Sequence, residues 1–257
     1  GAYTKGTNRL HMAYTFDYLG GVFDAKHFRG AIDLTEASAP DGWICLAFSN
    51  HDCVRHVSRW ATHEHQDALA RLACNMLLSM RGSVCIFQGE ELGLTEADLA
   101  YEDLVDPYGI EFWPEFKGRD GCRTPMVWQT QSQLGGFTTA NRAWLPVPAD
   151  HMTKAVDRQV GDTRSVLMHY RAMLAFRKQH PALREGSIKT HDAPEGVLAF
   201  SREGAGEKLL CIFNMSERAT MVTVPYATRV SGAPGNAYEP VGGKLELGPF
   251  EGYIGIA

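Results

Sequence analysis

Apolar positions in this chain follow two different periods, and the switch falls near residue 185. Before it, short continuous apolar runs alternate with stretches of three-and-four spacing. Trp43-Ile44-Cys45-Leu46 reads as a buried strand running to Phe48, announced by the turn signal Pro40-Asp41-Gly42. Asp67 to Met80 sets Leu69, Leu72, Ala73, Met76, Leu77 and Met80 on one stripe, which predicts an amphipathic helix. Ser83 to Phe87 predicts the next strand, and strand, helix, strand in this order implies parallel β/α units. A short strand is expected within Arg9 to Leu19, and partial helix over 24–38. A second strong helix starts at Asp162 or Thr163, carries Val166, Leu167, Tyr170, Met173, Leu174 and Arg177 on its inner stripe, and stops at Pro181. From Ser187 the pattern becomes short alternating strands: Val197 to Phe200, Lys208 to Phe213, Thr220 to Val224 and Leu245 to Ile256. These predict a small antiparallel β-sandwich domain.

Residues 92–162 have no such period. They hold Pro107, Pro114, Pro125, Pro146 and Pro148 among many aromatics, including Tyr108, Phe112, Trp113, Trp128 and Trp144. A stretch this irregular inside a compact domain is usually functional, and the aromatics argue against disorder.

The 257 residues carry a net charge of −5. That gives no electrostatic case for nucleic acid or anionic membrane as a partner. No apolar run is long enough to cross a bilayer, and no apolar h-region follows Gly1-Ala2-Tyr3-Thr4-Lys5. The six cysteines form no C-x-x-C pair and no zinc spacing. Cys45, Cys74 and Cys85 read as small buried hydrophobes, so a reducing, cytoplasmic compartment is expected. The sequon Asn214-Met215-Ser216 lies in an apolar strand and is expected to be a chance match.

Candidate chemistry gathers at strand ends. The strand from Trp43 ends abruptly in Asn50-His51-Asp52, and a buried parallel strand ending in polar residues is where barrel enzymes place their chemistry. These three residues are expected to line a polar pocket; the alternative is that Asp52 caps a following helix. Gln88-Gly89-Glu90-Glu91 ends the next strand and reads as a tight polar turn whose acids cap a helix or orient neighbours. Arg119 and Arg123 lie in a loop bounded by Gly118 and Pro125, where a guanidinium can fork a carboxylate or donate to sugar hydroxyls. No nucleophile elbow, phosphate loop or dinucleotide fingerprint occurs, and His63-Glu64-His65 lacks the H-E-x-x-H spacing.

Three motifs in order carry a resemblance. Phe48-Ser49-Asn50-His51-Asp52 resembles the F-x-N-H-D region of the α-amylase family of glycoside hydrolases. Gln88-Gly89-Glu90-Glu91-Leu92-Gly93 is similar to that family's eighth strand end. Arg119-Asp120-Gly121-Cys122-Arg123-Thr124-Pro125-Met126-Val127-Trp128 resembles the R-D-x-x-R-T-P-M-x-W loop of its α-glucosidase and oligo-1,6-glucosidase branch, with Val127 where many relatives carry Gln. The resemblance implies an α/β fold: the C-terminal part of a (β/α)8 barrel over 1–184, holding strands six to eight, then an antiparallel β domain over 185–257. It implies a retaining α-glucosidase acting on malto- or isomalto-oligosaccharides, with transglucosylation open to it, and calls for no cofactor and no metal ligand in this chain.

By the same resemblance Asp52 is the transition-state stabiliser, hydrogen-bonded to the 2- and 3-hydroxyls of the cleaved glucose. His51 and Arg119 bind that sugar, Arg119 also holding a carboxylate from outside this chain. Asn50 lines the pocket, Arg123 is the lesser contact, and Phe16 forms the aglycone-side wall unless it is a core residue. The family's nucleophile aspartate and acid/base glutamate would precede Gly1. An N-terminal part of the same enzyme is therefore an expected partner, because three barrel strands alone leave open edges and an uncovered apolar face. The alternatives are a relative of another class, a barrel that has lost its catalytic residues and serves as a transporter partner subunit, and a sugar-binding fragment with no activity. Intact His51, Asp52 and Arg119 weigh against the transporter subunit.

Overall fold

The computed structural model describes residues 1–257 apart from Thr62, Ala237, Tyr238 and the side chain of His63, which takes part of the His63-Glu64-His65 motif outside the described residues. In chain order the elements are β1 (Ala13–Tyr14), α1 (Ala25–Ser38), β2 (Ile44–Leu46), α2 (His56–Trp60), α3 (Gln66–Ser79), β3 (Ser83–Val84), α4 (Pro107–Glu111), α5 (Ala149–Thr153), α6 (Val156–Gln159), α7 (Val166–Gln179) and α8 (Pro181–Glu185). Then follow β4 (Ser187–Thr190), β5 (Val197–Gly204), β6 (Glu207–Asn214), β7 (Thr220–Thr223), β8 (Arg229–Val230), β9 (Lys244–Leu247) and β10 (Gly252–Ile256). The chain forms two compact units, one of residues 1–47, 71–85 and 170–257, the other of 48–70 and 86–169.

In the first unit β1, β2 and β3 pair side by side and parallel, as alternation of strand and helix requires. The strands are shorter than their apolar runs, but the ladder continues beyond them: Thr15 N donates to Cys45 O at 3.1 Å and Cys85 N to Leu46 O at 2.8 Å. Helix α1 is continuous across the segment expected to be helical only in part. Asp24 caps it by accepting from Lys26 N, and Ala25, Phe28 and Ile32 form its buried face. Cys74 is buried, whereas Cys45 is half-buried and Cys85 exposed, because β3 is the edge strand of this sheet. Among the described residues no two cysteines are joined by a disulfide.

Two residues of the α7 stripe behave differently from their pattern. Leu174 is exposed, the apolar face drifting instead through Tyr170, Met173 and Phe176. Arg177 stands on the inner face for a polar reason. Its Nη1 donates to Leu78 O at 2.5 Å and its Nη2 to Gly82 O at 2.9 Å. Arg202, fully buried, adds a bond from Nη1 to Ser79 O at 2.6 Å. The carbonyls that end α3 have no partners within the helix, and these two arginines supply them.

The β domain packs a five-stranded antiparallel sheet, order β4-β5-β6-β10-β8, against the pair β7-β9. Val197, Ala199, Leu210, Ile212 and Tyr253 of the larger sheet share one core with Val222, Leu245 and Leu247 of the smaller, which makes it a sandwich. The run Leu245 to Ile256, expected as one strand, is two. It breaks at Gly248-Pro249-Phe250, where Pro249 has no N–H to give a ladder and Phe250 takes φ +52°, so β9 and β10 enter different sheets. Asn214 of the sequon is fully buried, its Nδ2 donating to Arg218 O and Gly248 O. It is a structural amide and no acceptor for glycan.

The second unit is built from short helices and turns; its small cores among the described residues include one of Leu92, Leu94, Val127, Ala155 and Leu167 and another of Ala97, Leu99, Leu104 and Leu145. His151 of α5 is buried and bonds through Nε2 to Thr95 O at 2.9 Å. Burial holds its pKa down at about 4, against an ordinary 6.5. A group with a lowered folded pKa loses stabilisation as pH falls, since the unfolded chain takes the proton first. The stability difference between the protein and His151→Gln is therefore expected to shift against the native residue by about 2 to 3 kcal/mol between pH 6.5 and pH 4. Thermal melts of both proteins across that range check this, and parallel melts would refute it. Among the described residues, no helix is long and apolar enough to cross a membrane.

Candidate active site

The chain after β2 is shaped by its own side chains. Asn50 Oδ1 accepts from Asp52 N at 2.8 Å, an Asx turn that bends the loop at Asp52. Ser49 Oγ accepts from His56 N at 2.9 Å and so satisfies the first donor of α2. Arg59 of the same helix returns to Phe48 O at 2.5 Å and Val54 O at 2.7 Å. Asp52 does not cap α2; its carboxylate stays half exposed.

Arg55 lies beneath this loop, almost fully buried. Its Nη1 donates to Gln88 O at 2.5 Å and its Nη2 to Cys122 O at 2.8 Å, while its backbone N donates to Glu96 Oε2 at 3.0 Å. One side chain thus ties together the segments carrying Asp52, Gln88 and Arg123. Gly89 is required beside it: it has φ +85°, and a Cβ there would come within 2.8 Å of Arg55 Nη1. Glu90 orients neighbours, as its turn implies, with Oε2 accepting from Phe87 N at 2.7 Å and Oε1 3.0 Å from His56 Nδ1.

The arginine loop is held by two buried aspartates. Asp120 Oδ2 accepts from both Val105 N and Asp106 N at 2.7 Å. Asp106 in turn accepts from Arg119 N and Nε on Oδ2, at 2.7 and 2.9 Å, and from Arg119 Nη2 on Oδ1 at 2.9 Å. It also caps α4, before Pro107 at the first helical position. The Arg119 guanidinium bound to it holds the Asp106 carboxyl well below the usual carboxylate range. Backbone meets backbone here. A Cβ on Gly118 (φ +77°) would lie 2.8 Å from Gly109 Cα, so only glycine lets α4 come this close.

Both arginines converge on Asp52. Arg119 Nη1 and Arg123 Nη2 each lie 3.0 Å from Asp52 Oδ1, and Arg123 Nε donates to His51 O at 2.7 Å. Exposed His51 has Nε2 3.4 Å from Asp52 Oδ2. The Tyr108 ring stands 5.2 Å from the Arg119 guanidinium carbon, stacked with Phe112 and open to solvent. A carboxylate with one oxygen pinned and one open, flanked by donors and aromatic faces, suits a polyhydroxylated ligand.

Asn50, His51, Asp52, Arg119 and Arg123 come together in this one unit. Arg123, read from sequence as the lesser contact, reaches Asp52 at the same distance as Arg119. The carboxylate expected to reach Arg119 from outside the chain has a counterpart inside it, Asp106. Phe16 belongs to the other unit, where it packs edge-on to Tyr14 and is 72% exposed, so it is no core residue. Sequence reasoning passed over Arg55 and Asp106, and gave Asp120 no role beyond its place in the R-D-x-x-R loop. For Asp106 one signal was present, Asp-Pro at a helix start; nothing local marks Arg55.

The profile of the α-amylase catalytic domain matches residues 8–186. This chain belongs to the α-amylase family. The profile of the maltogenic amylase C-terminal domain matches residues 189–254. Among curated α-amylase family relatives, a protein described as "Probable alpha-glucosidase" from Rhizobium meliloti (strain 1021) is 50% identical over 228 residues, 88% of this chain and 41% of its own length. An oligo-1,6-glucosidase of Heyndrickxia coagulans is 32% identical over 73% of this chain and 37% of its own length. The crystal structure of the α-glucosyl transfer enzyme XgtA superposes with a TM-score of 0.92 at 46% identity, covering 97% of this chain and 46% of that one. A mutant of MutB solved in complex with glucose superposes at 0.82 with 28% identity, over 95% of this chain and 50% of its own. The chain thus spans under half the length of the curated relatives named here.

Proposed function

We propose that this chain is part of a retaining α-glucosidase that releases, and can transfer, terminal α-linked glucose from short oligosaccharides. The observation that carries the reading is Asp52, one oxygen pinned by Arg119 and Arg123 and the other open beside His51. Likeness to a probable α-glucosidase, to oligo-1,6-glucosidases and to a glucosyl transfer enzyme supports it.

Asp52 accepts hydrogen bonds from the 2- and 3-hydroxyls of the glucose being cleaved. Those bonds strengthen as the ring flattens toward an oxocarbenium ion, so they lower the barrier instead of merely tightening binding. His51, Arg119 and Arg123 donate to the same sugar, and Asn50 holds the turn that presents Asp52. The attacking aspartate and proton-donating glutamate, about 5 to 5.5 Å apart in retaining enzymes, lie outside these 257 residues, in an N-terminal part that is this chain's partner. The glutamate protonates the departing oxygen while the aspartate bonds to the anomeric carbon. Water or another alcohol then attacks that carbon, gives its proton to the same glutamate and frees the aspartate. No step needs a cofactor. The parts are residues 1–184 for the barrel and 185–257 for the β domain, a division supported by the ranges of the two matching families.

The test is the enzyme at its natural full length, given maltose, isomaltose and p-nitrophenyl α-glucoside and followed by proton NMR. The expected first product is α-glucose, with α-glucosides appearing when glycerol is added. Release of β-glucose, or none from any α-glucoside, would overturn the reading.

A further inference from the structure

Neither arginine at Asp52 grips it with two bonds, although a forked pair is the favoured contact between guanidinium and carboxylate. Each has another nitrogen engaged elsewhere. Arg123 spends Nε on the His51 carbonyl. Arg119 gives its whole Nε–Nη2 edge to Asp106, so only Nη1 reaches Asp52. Asp106 holds this edge firmly because its carboxylate is buried away from competing water, while Asp52 is half exposed. Its position is set independently of the arginine side chain, by Asp120 binding the Val105 and Asp106 amides and by the close approach of Gly109 and Gly118.

We propose that Asp106 is a positioning residue: by occupying one edge of Arg119 it keeps that guanidinium from closing as a fork on Asp52, and so leaves an Asp52 oxygen free to accept a sugar hydroxyl. Without this hold Arg119 swings so that Nη1 and Nη2 both bind Asp52, and substrate must break that fork to reach the carboxylate. The inference rests on Asp52 being a sugar-binding carboxylate. It goes beyond that reading in assigning Asp106 a role that operates only through Arg119.

A double-mutant cycle in the full-length enzyme tests it, using Asp106→Asn, Arg119→Ala and the pair, with kcat and KM on p-nitrophenyl α-glucoside. Asn keeps an oxygen to cap α4, and Asp106→Ser, which also caps, serves as the second variant if Asn impairs folding. Asp106→Asn is expected to lower kcat/KM about 30-fold with Arg119 present and less than about 3-fold in the Arg119→Ala background. A damaged fold would cost the same in both backgrounds, and equal losses would overturn the proposal. A crystal structure of Asp106→Asn gives a readout that does not depend on the enzyme being a glucosidase. Arg119 with two nitrogens on Asp52 supports the role; Arg119 unmoved overturns it. Failure of wild-type enzyme to cleave α-glucosides would sink the functional reading while leaving this structural outcome to be read on its own.

Discussion

Asp52→Asn in the full-length enzyme is expected to lower kcat on p-nitrophenyl α-glucoside by about 10³-fold while leaving the melting temperature within about 2 °C of wild type. The activity loss follows from charge. The amide keeps the shape of the carboxylate, but it cannot accept at both positions or balance positive charge growing on the sugar ring. The small stability effect follows from exposure. The Asp52 carboxylate is half open to water, and its ion pairs are of the kind worth about 0 to 1 kcal/mol each. Its partners are not stranded by the change. Arg119 retains Asp106 and Arg123 retains the His51 carbonyl. Turnover near wild type would remove Asp52 from the site; a loss of both activity and melting cooperativity would make it a folding residue instead.

Arg55→Met is expected to destabilise the fold by about 3 to 5 kcal/mol. Replacing an entire buried ion cluster by apolar side chains can be neutral, but this substitution removes only the cation. The Gln88 carbonyl loses its guanidinium donor and the Cys122 carbonyl keeps only a long bond from Gln88 Nε2 at 3.5 Å, while Glu91 and Glu96 lose the guanidinium that offsets their burial. Arg55→Lys should fall between, since a single ammonium keeps the charge but not the two-ended reach.

The pH dependence of that deficit is a second check. Burial raises both glutamates above their ordinary 4.5. A group with a raised folded pKa favours the folded state below its unfolded value and loses that contribution as pH rises through the folded one. Without Arg55 the two values rise further, so the deficit is expected to be larger at pH 7 than at pH 5. Urea unfolding of both proteins at the two pH values measures this. A deficit under about 1 kcal/mol at pH 7 would show that Arg55 does not hold these loops together.

Burial with a local period was legible in the residues. The stripe Leu69, Leu72, Ala73, Met76, Leu77 sufficed for α3, and strand, helix, strand sufficed for a parallel sheet. Position along the chain was also enough to nominate Asn50, His51 and Asp52, because a polar cluster ending an apolar strand has few structural uses. The two arginines stood out for the same reason, in a loop rich in glycine, proline and aromatics.

What the sequence by itself determined, then, is which segments bury a face and which side chains are polar where the chain leaves the sheet. Tertiary structure alone decided the pairing of those polar groups. Arg119 meets Asp106 across 13 residues and Asp52 across 67, and Arg55 reaches Cys122 across 67. The physical reason is that apolar burial is nondirectional and leaves its period in the chain. A buried hydrogen bond needs a specific donor and acceptor within about 3 Å, and which loops supply them is set by backbone routes such as the Gly109–Gly118 approach.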